Sequence, residues 1–314
     1  MARATYRDSA PASIATLPDI ARFHDEPFAD PSQLPTFAVS AATREFVTVA
    51  LSGDGGDELF SGYPHHDLAA GLSRLDRVPT GLLKTVLAPL ARFSPVATRG
   101  RDWAERMSLD PDRRRFSTIR LPSRSSRVDL LHPDLRQSRE EREWYYHPHL
   151  ERLKGLPPVT QTQMFDLEFY LPNDMLVKVD RASMAVGLEV RVPFLTKHMT
   201  ELSLSIPEGM RYVRGEDKRV LRRIVERRYG TEFARRKKRG FSIPLNRWMR
   251  DAATPAREGY ILESGPMKAG ILNAQGVRRL FSDIRRGNGI WHVDRSEELF
   301  AILCFDAWWS RYRE

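Results

Sequence analysis

Ser52, Asp54, Asp57 and Glu58, interleaved with Gly53, Gly55 and Gly56, are the residues of this chain best suited to do chemistry. They fall in VTVALSGDGGDE, Val47–Glu58, a short β-branched run that stops abruptly in a glycine-rich loop. Glycines at a strand end let the backbone approach a ligand closely and turn its N–H groups toward it. A helix opening near Asp57 would add the partial positive field of its N-terminus, which suits phosphate oxygens. Carboxylates in such a loop repel phosphate directly, so they point to a bridging metal ion or a reacting cation. Taken alone, the loop is more simply an acidic surface turn. The rest of the chain changes the balance.

Three further groups of charge lie in apolar or helical surroundings. Lys178, Asp180 and Arg181 interrupt LPNDMLVKVDRASMAVGLEVRVPFL, Leu171–Leu195. Burying charges singly is costly, so these are expected to be paired, with a structural network as the plain alternative to a functional role. Lys218 stands in the first turn of an amphipathic helix that starts at Asp217 and ends near Gly230. A cation there faces the wrong end of the helix dipole, which is tolerable on a surface and expected if it serves an anion. Arg235–Arg239 is a five-cation run that would ordinarily be solvated. It leads directly into the apolar Phe241–Leu245 segment, which favours one cation turned inward. His65, His66, His147 and His149 have no metal-site context and read as solvated or structural. Cys304 lies on the apolar face of a C-terminal helix, with no histidine near it in sequence, and reads as a buried inert thiol.

The elements that must position these residues follow from pattern. Thr16 caps a short helix through Phe23, with Pro18 in its first turn. His24–Ser32 is a polar, proline-broken loop, after which Ser32 caps a second helix leading into the strand Phe46–Leu51. Helix, apolar strand, glycine loop and helix is how a parallel α/β layer reads, with ligands at the carboxyl end of the strand. Pro172-Asn173-Asp174 caps a helix to about Val186, Gly187 suits its end, and Leu188–Val192 alternates as a short extended segment. Trp291 and Leu299–Trp309 supply a last amphipathic helix. The stretch 64–158 is arginine-rich and irregular, with no chemistry legible in it. The predicted fold is α/β: a truncated parallel sheet within residues 14–63, then a mainly helical remainder over 64–314, packed as one domain.

With 314 residues, 41% hydrophobic and 29% charged, the chain has ample material for a core. No apolar run is long enough to cross a bilayer, and the polar start carries no signal-peptide core. A single cysteine excludes an intrachain disulfide and any multi-cysteine metal site; a reducing, cytoplasmic setting is the expectation. The net charge of +9 fits a nucleic-acid binder or a fold that handles polyphosphate. The cations are not gathered with aromatics into a binding module, so the second reading is preferred.

In order along the chain, HDEPFADPS (His24–Ser32), LSGDGGDELFSGY (Leu51–Tyr63), LVKVDRASMAVGLEVRVPFL (Leu176–Leu195), DKRVLRR (Asp217–Arg223) and RRKKRGFSIPLNRW (Arg235–Trp248) resemble the synthetase domain of the asparagine synthetase family. The resemblance runs from about residue 14 to the C-terminus and is weakest over 64–158. It implies an ATP-pyrophosphatase-type sheet and an ATP- and Mg²⁺-dependent ligase. Such a ligase adenylates aspartate, releases pyrophosphate, and lets glutamine-derived ammonia displace AMP. Carried over by motif position, Ser52 and Gly53 contact ATP, Asp57 holds Mg²⁺ at the pyrophosphate, and Asp54 is an acid tied to intermediate formation or ammonia attack. Lys238 stabilises transition-state charge, and Lys218 and Arg181 bring further cations to phosphate or carboxylate.

The departures shape the rest of the expectation. The family's Ser-Gly-Gly-x-Asp-Ser pyrophosphate loop and its glutaminase domain with a cysteine nucleophile have no counterpart here. Thr196 stands where many relatives have Asp, and Lys237 where many have Pro. The chain is therefore expected to be a C-terminal fragment that needs the N-terminal part or a companion chain, with a homodimer left open. Apolar surface on Phe46–Leu51 is expected to be exposed and to make the isolated chain poorly soluble. The alternatives are an inactive or interaction-only remnant, and a relative acting on another carboxylate, as in β-lactam formation or peptide cyclisation.

Overall fold

The computed structural model describes residues 13–93, 99–117, 129–136, 147–236, 241, 243–287 and 294–312. Helices dominate it. Val49–Leu51 (β1) and Glu189–Arg191 (β2) form a two-stranded parallel sheet in the register Val49↔Glu189, Ala50↔Val190, Leu51↔Arg191. Parallel strands need a long crossover, and here nearly all the helices of the first half of the chain intervene.

β1 is shorter than the run of β-branched residues predicts. The N–H groups of Phe46 and Val47 both donate to Thr43 O, at 3.0 and 3.1 Å, so the end of the helix Gln33–Arg44 claims them first. The expected apolar exposure is present: Phe46 is 56% exposed, Val47 42%, Val49 39% and Leu51 72%.

The stretch around Pro172 is not a helix start. Residues Asp166–Met175 run as a π-helix with Pro172 inside, and continue into the α-helix Leu176–Met184. Proline has no N–H for the helix ladder. Here the Asn173 side chain donates to Phe169 O at 2.7 Å, so a side chain takes up a carbonyl within the widened turn. The other end follows expectation: Gly187, at φ +70°, closes the helix, and Leu188 N–H donates to Ser183 O at 3.0 Å.

Two caps also differ. Ser13 rather than Thr16 caps the first turn, and the helix Leu17–Ala21 ends two residues short of Phe23. Ser32 precedes Gln33–Arg44 without a side-chain cap, because its hydroxyl donates to Asp30 Oδ2 at 2.7 Å and accepts from Lys178 Nζ at 2.8 Å.

The largest core is built around the C-terminal helix Ser296–Tyr312. Its Leu299, Phe300, Leu303 and Cys304 pack with Leu17, Ile20 and Leu34 at the start of the chain and with Met249, Ile261, Leu280 and Phe281. Each fully buried Leu or Phe there contributes about 1.5–3 kcal/mol. Trp291 lies outside the described residues. A second cluster holds Leu72, Leu87, Ala91, Ala104 and Met107, and a third Phe116, Leu150, Leu153 and Phe165. No helix among the described residues is long and apolar enough to cross a membrane.

Candidate functional site

β1 delivers the chain to Ser52, whose N–H donates to Arg191 O at 2.9 Å and so adds one rung beyond the paired strands. The Ser52 hydroxyl donates to Asp54 Oδ2 at 2.7 Å, joining two of the expected site residues. A Cβ added at Gly53 meets nothing within 4 Å, so the backbone there is open to a ligand. Gly55 is different: at φ +85° an added Cβ would lie 2.3 Å from Leu195 Cδ2. The expected helix opens at Gly56 but spans only Gly56–Leu59. One turn aligns few peptide dipoles and so adds little of the N-terminal field anticipated.

Asp57 and Lys218, far apart in sequence, meet at this turn: Lys218 Nζ lies 3.0 Å from Asp57 Oδ2, both side chains about a quarter exposed. Lys218 does not lie inside its helix. It is the residue before Arg219–Tyr229 and has φ +51°. Ser61, at φ +56°, is the other non-glycine residue with positive φ among those described, and Lys218 N–H is directed at its carbonyl at 3.5 Å. A left-handed backbone costs a non-glycine residue about 1–2 kcal/mol, and such strain gathers at functional sites. Gly62 completes the arrangement. A Cβ there would fall 1.9 Å from Asp57 Oδ1 and 2.6 Å from Lys218 Cε.

Behind the turn is a buried polar hub. Glu58 is 1% exposed, its carboxylate accepts from the Tyr63 hydroxyl at 2.7 Å, and its carbonyl accepts from Gln163 Nε2 at 2.9 Å. Burial pushes the Glu58 carboxyl up, against the Tyr63 hydrogen bond, and burial likewise pushes the Tyr63 phenol up. His65 and His66 each place Nε2 2.8 Å from the same Asp166 oxygen, Oδ2. Burial opposes the Asp166 carboxylate, but the two imidazoles outweigh it and hold its carboxyl below the usual range.

The ligand atoms of His65, His66 and Asp166 lie within 4.8 Å of one another, a composition a transition metal accepts. The tautomer argues otherwise. Tyr63 N–H donates to His66 Nδ1 at 3.3 Å, so in the neutral ring the proton sits on Nε2 and is given to Asp166. The trio ties the Tyr63 turn to the start of the π-helix. Of the two plain readings, His65 and His66 are structural rather than solvated; His149 and His147 pair with Glu168 and Glu151.

Arg181 and Lys178 take carboxylate partners other than Asp57. Arg181 pairs with Asp25 at 2.5 Å, and Lys178 is buried on Asp30 at 2.9 Å, so the two cations of this stretch are paired as anticipated, while Asp180 is exposed. Lys238 and Lys237 lie outside the described residues. Cys304 is buried, and burial pushes its thiol up, as an inert core cysteine requires.

The sequence matches the asparagine synthase family over residues 5–310. The chain belongs to that family. The asparagine synthase family is a family of ligases. A Mycobacterium tuberculosis protein named "Putative asparagine synthetase (glutamine-hydrolyzing)" is 32% identical over 311 residues, covering 98% of this chain and 46% of the relative. The Bacillus subtilis protein named asparagine synthetase (glutamine-hydrolyzing) 1 is 29% identical over 297 residues, covering 94% of this chain and 45% of the relative. The chain thus spans about half the length of the curated relatives it matches.

Sequence reasoning missed Tyr63, Gln163 and Asp166, and gave Glu58 no role. For Asp166 and Gln163 local signals are absent, because both reach the turn from about a hundred positions away, whereas Tyr63 is only five residues from Glu58.

Proposed function

We propose that the chain carries the synthetase half of an ATP-dependent amide-forming ligase that converts aspartate to asparagine, AMP and pyrophosphate, with ammonia drawn from glutamine. The observation that carries this reading is Lys218 set on Asp57 at the end of an open serine-glycine turn. It is a carboxylate with a movable cation beside bare backbone. That is what a polyphosphate with a hard metal ion needs.

The donor set suits Mg²⁺. Asp57 offers hard oxygens beside the exposed Gly53 backbone, and Mg²⁺ is commonly held by one or two carboxylates with phosphates completing its shell. When bound, the ion would neutralise charge on the departing pyrophosphate. Ser52 and Gly53 would contact ATP, and Lys218 would turn from Asp57 to a phosphate oxygen. Asp54, oriented by the Ser52 hydroxyl, would serve intermediate formation or take a proton as ammonia attacks the acyl carbon. Lys238 would meet transition-state charge, and Arg181 would clasp phosphate or carboxylate after leaving Asp25.

An ATP-pyrophosphatase-type sheet belongs to the same reading. β1 and β2 would be two strands of a wider sheet, with the pyrophosphate loop and the glutaminase supplied by polypeptide outside these 314 residues. Its exposed apolar strand residues support this, and a cytoplasmic setting follows from the need for ATP and glutamine.

The test is AMP and pyrophosphate formation from ATP, Mg²⁺, aspartate and ammonium, by the chain alone and combined with the N-terminal half of a full-length relative. Release that depends on both aspartate and ammonium supports the proposal. Silence in the presence of a folded N-terminal half would overturn it and leave an interaction-only role. Release with a different carboxylic acid would move the assignment to another amidation or ring closure.

A further inference from the structure

Arg222 uses its whole guanidinium at one spot. Nε donates to Asp217 O at 2.9 Å and to Asp217 Oδ1 at 3.1 Å, and Nη2 reaches both carboxylate oxygens at 2.7 and 2.8 Å. Nη1 donates to Ala234 O and, at 3.3 Å, to Arg236 O. The side chain projects from the first turn of Arg219–Tyr229 and fastens two chain segments to it. One is the residue immediately before Lys218. The other is the exit of the short helix Thr231–Ala234.

The first attachment matters most. Lys218 sits at φ +51°, a costly conformation for an L-residue, and from there its ammonium lies 3.0 Å from Asp57 Oδ2. Asp217 is held through its carbonyl and both carboxylate oxygens, which restrains the peptide entering Lys218. A planar five-donor fork does this; a lysine offers one point charge and cannot span the carboxylate, the carbonyl of the same residue and two further carbonyls.

We propose that Arg222 is a positioning residue for the Asp57–Lys218 pair, acting through Asp217 to keep Lys218 in its left-handed conformation. The proposal rests on the reading of Lys218 and Asp57 as phosphate- and metal-handling groups. Arg222 itself touches no substrate.

The experiment is a double-mutant cycle on Mg·ATP binding, measured by calorimetry on the chain combined with the N-terminal half of a relative. Hydrogen exchange of the segment around Lys218 is followed in parallel. Arg222→Gln is expected to weaken Mg·ATP about 10-fold, the scale of one charge-assisted contact. In a Lys218→Ala background the same change is expected to add less than about 2-fold, because the group it positions is gone. Arg222→Lys should restore little of the affinity while keeping the charge. Amides at 217–219 should lose protection in both Arg222 variants, with the C-terminal core unchanged.

Equal losses from Arg222→Gln in the presence and absence of Lys218 would show a merely structural role and overturn the proposal. So would unchanged protection at 217–219, which is read without ATP. Absence of Mg·ATP binding by the parent protein would strike the ligase reading instead, and the exchange measurement would still decide the role of Arg222.

Discussion

The ammonium of Lys218 lies 3.0 Å from the carboxylate of Asp57, so the cation and the anion that would serve a metal-bound polyphosphate are each other's partner in the free chain. Neither is left as a bare charge before ligand arrives. Because the pair is partly exposed, its own contribution to stability is small, about 0–1 kcal/mol.

Asp57→Asn and Lys218→Ala are therefore expected to leave thermal stability within about 1 kcal/mol of the parent. Each should lower AMP formation by about 100-fold or more, the scale seen when one preorganised electrostatic group is removed from an active site. Parallel melting curves and turnover assays check this; loss of folding with either change would contradict it.

Gly62→Ala should separate the pair sterically, since the new methyl would overlap Asp57 Oδ1 and Lys218 Cε. A cost of about 1–3 kcal/mol is expected. Gly55→Ala should be as harmful for two reasons, the left-handed backbone and the collision with Leu195. Adding Leu195→Ala should relieve only the collision. Denaturant midpoints of the single and double variants separate the two contributions.

Acid should loosen the hub behind the turn. Burial holds the His66 imidazole below its ordinary 6.5, although Asp166 opposes this, so the unfolded chain binds a proton first. Stability is thus lost as pH falls below 6.5 and continues to fall until the folded imidazole also protonates. Asp166, held below its ordinary 3.8, keeps its contribution until more acidic pH. His66→Asn should flatten the stability profile between about pH 7 and 5, read by chemical denaturation at fixed pH steps.

Glu58 should show the opposite trend. Burial raises its carboxyl above the ordinary 4.5, so keeping it ionised costs stability as pH rises through 4.5 toward the higher folded value. Glu58→Gln retains a carbonyl oxygen for the Tyr63 hydroxyl. The variant should match or exceed the parent above that range and lose the dependence there. A steeper loss in the variant would mean the charge is needed.

The exposed face of β1 should govern solubility. Leu51→Lys is expected to reduce self-association of the isolated chain, because Leu51 is 72% exposed. Sedimentation velocity at several concentrations checks this; a compact monomer in the parent chain would contradict the expectation of poor solubility.

What was legible in the sequence was local. β1, the Gly56 turn, the Gly187 and Gly230 stops and the C-terminal helix follow from β-branching, glycine and 3.6-residue spacing. Pro172 misled because the chain runs through it as a widened π-helical stretch, Asp166–Met175, instead of starting a helix there. The Ser52–Asp54 bond is also local, two residues apart. The Asp57–Lys218 pair, the tie from Arg222 to Ala234 and the meeting of His65 and His66 on Asp166 are tertiary facts. No periodicity encodes them, and family resemblance supplied roles for some of these residues without supplying their partners.

The parallel rung between Ser52 and Arg191 ties the turn to a strand most of the way along the chain. Such a pairing closes a long loop, and its entropic cost is met only after the intervening helices have condensed. The turn is therefore expected to assemble late on the route to the native state. Substitutions in it will chiefly speed unfolding and leave the rate of folding nearly unchanged.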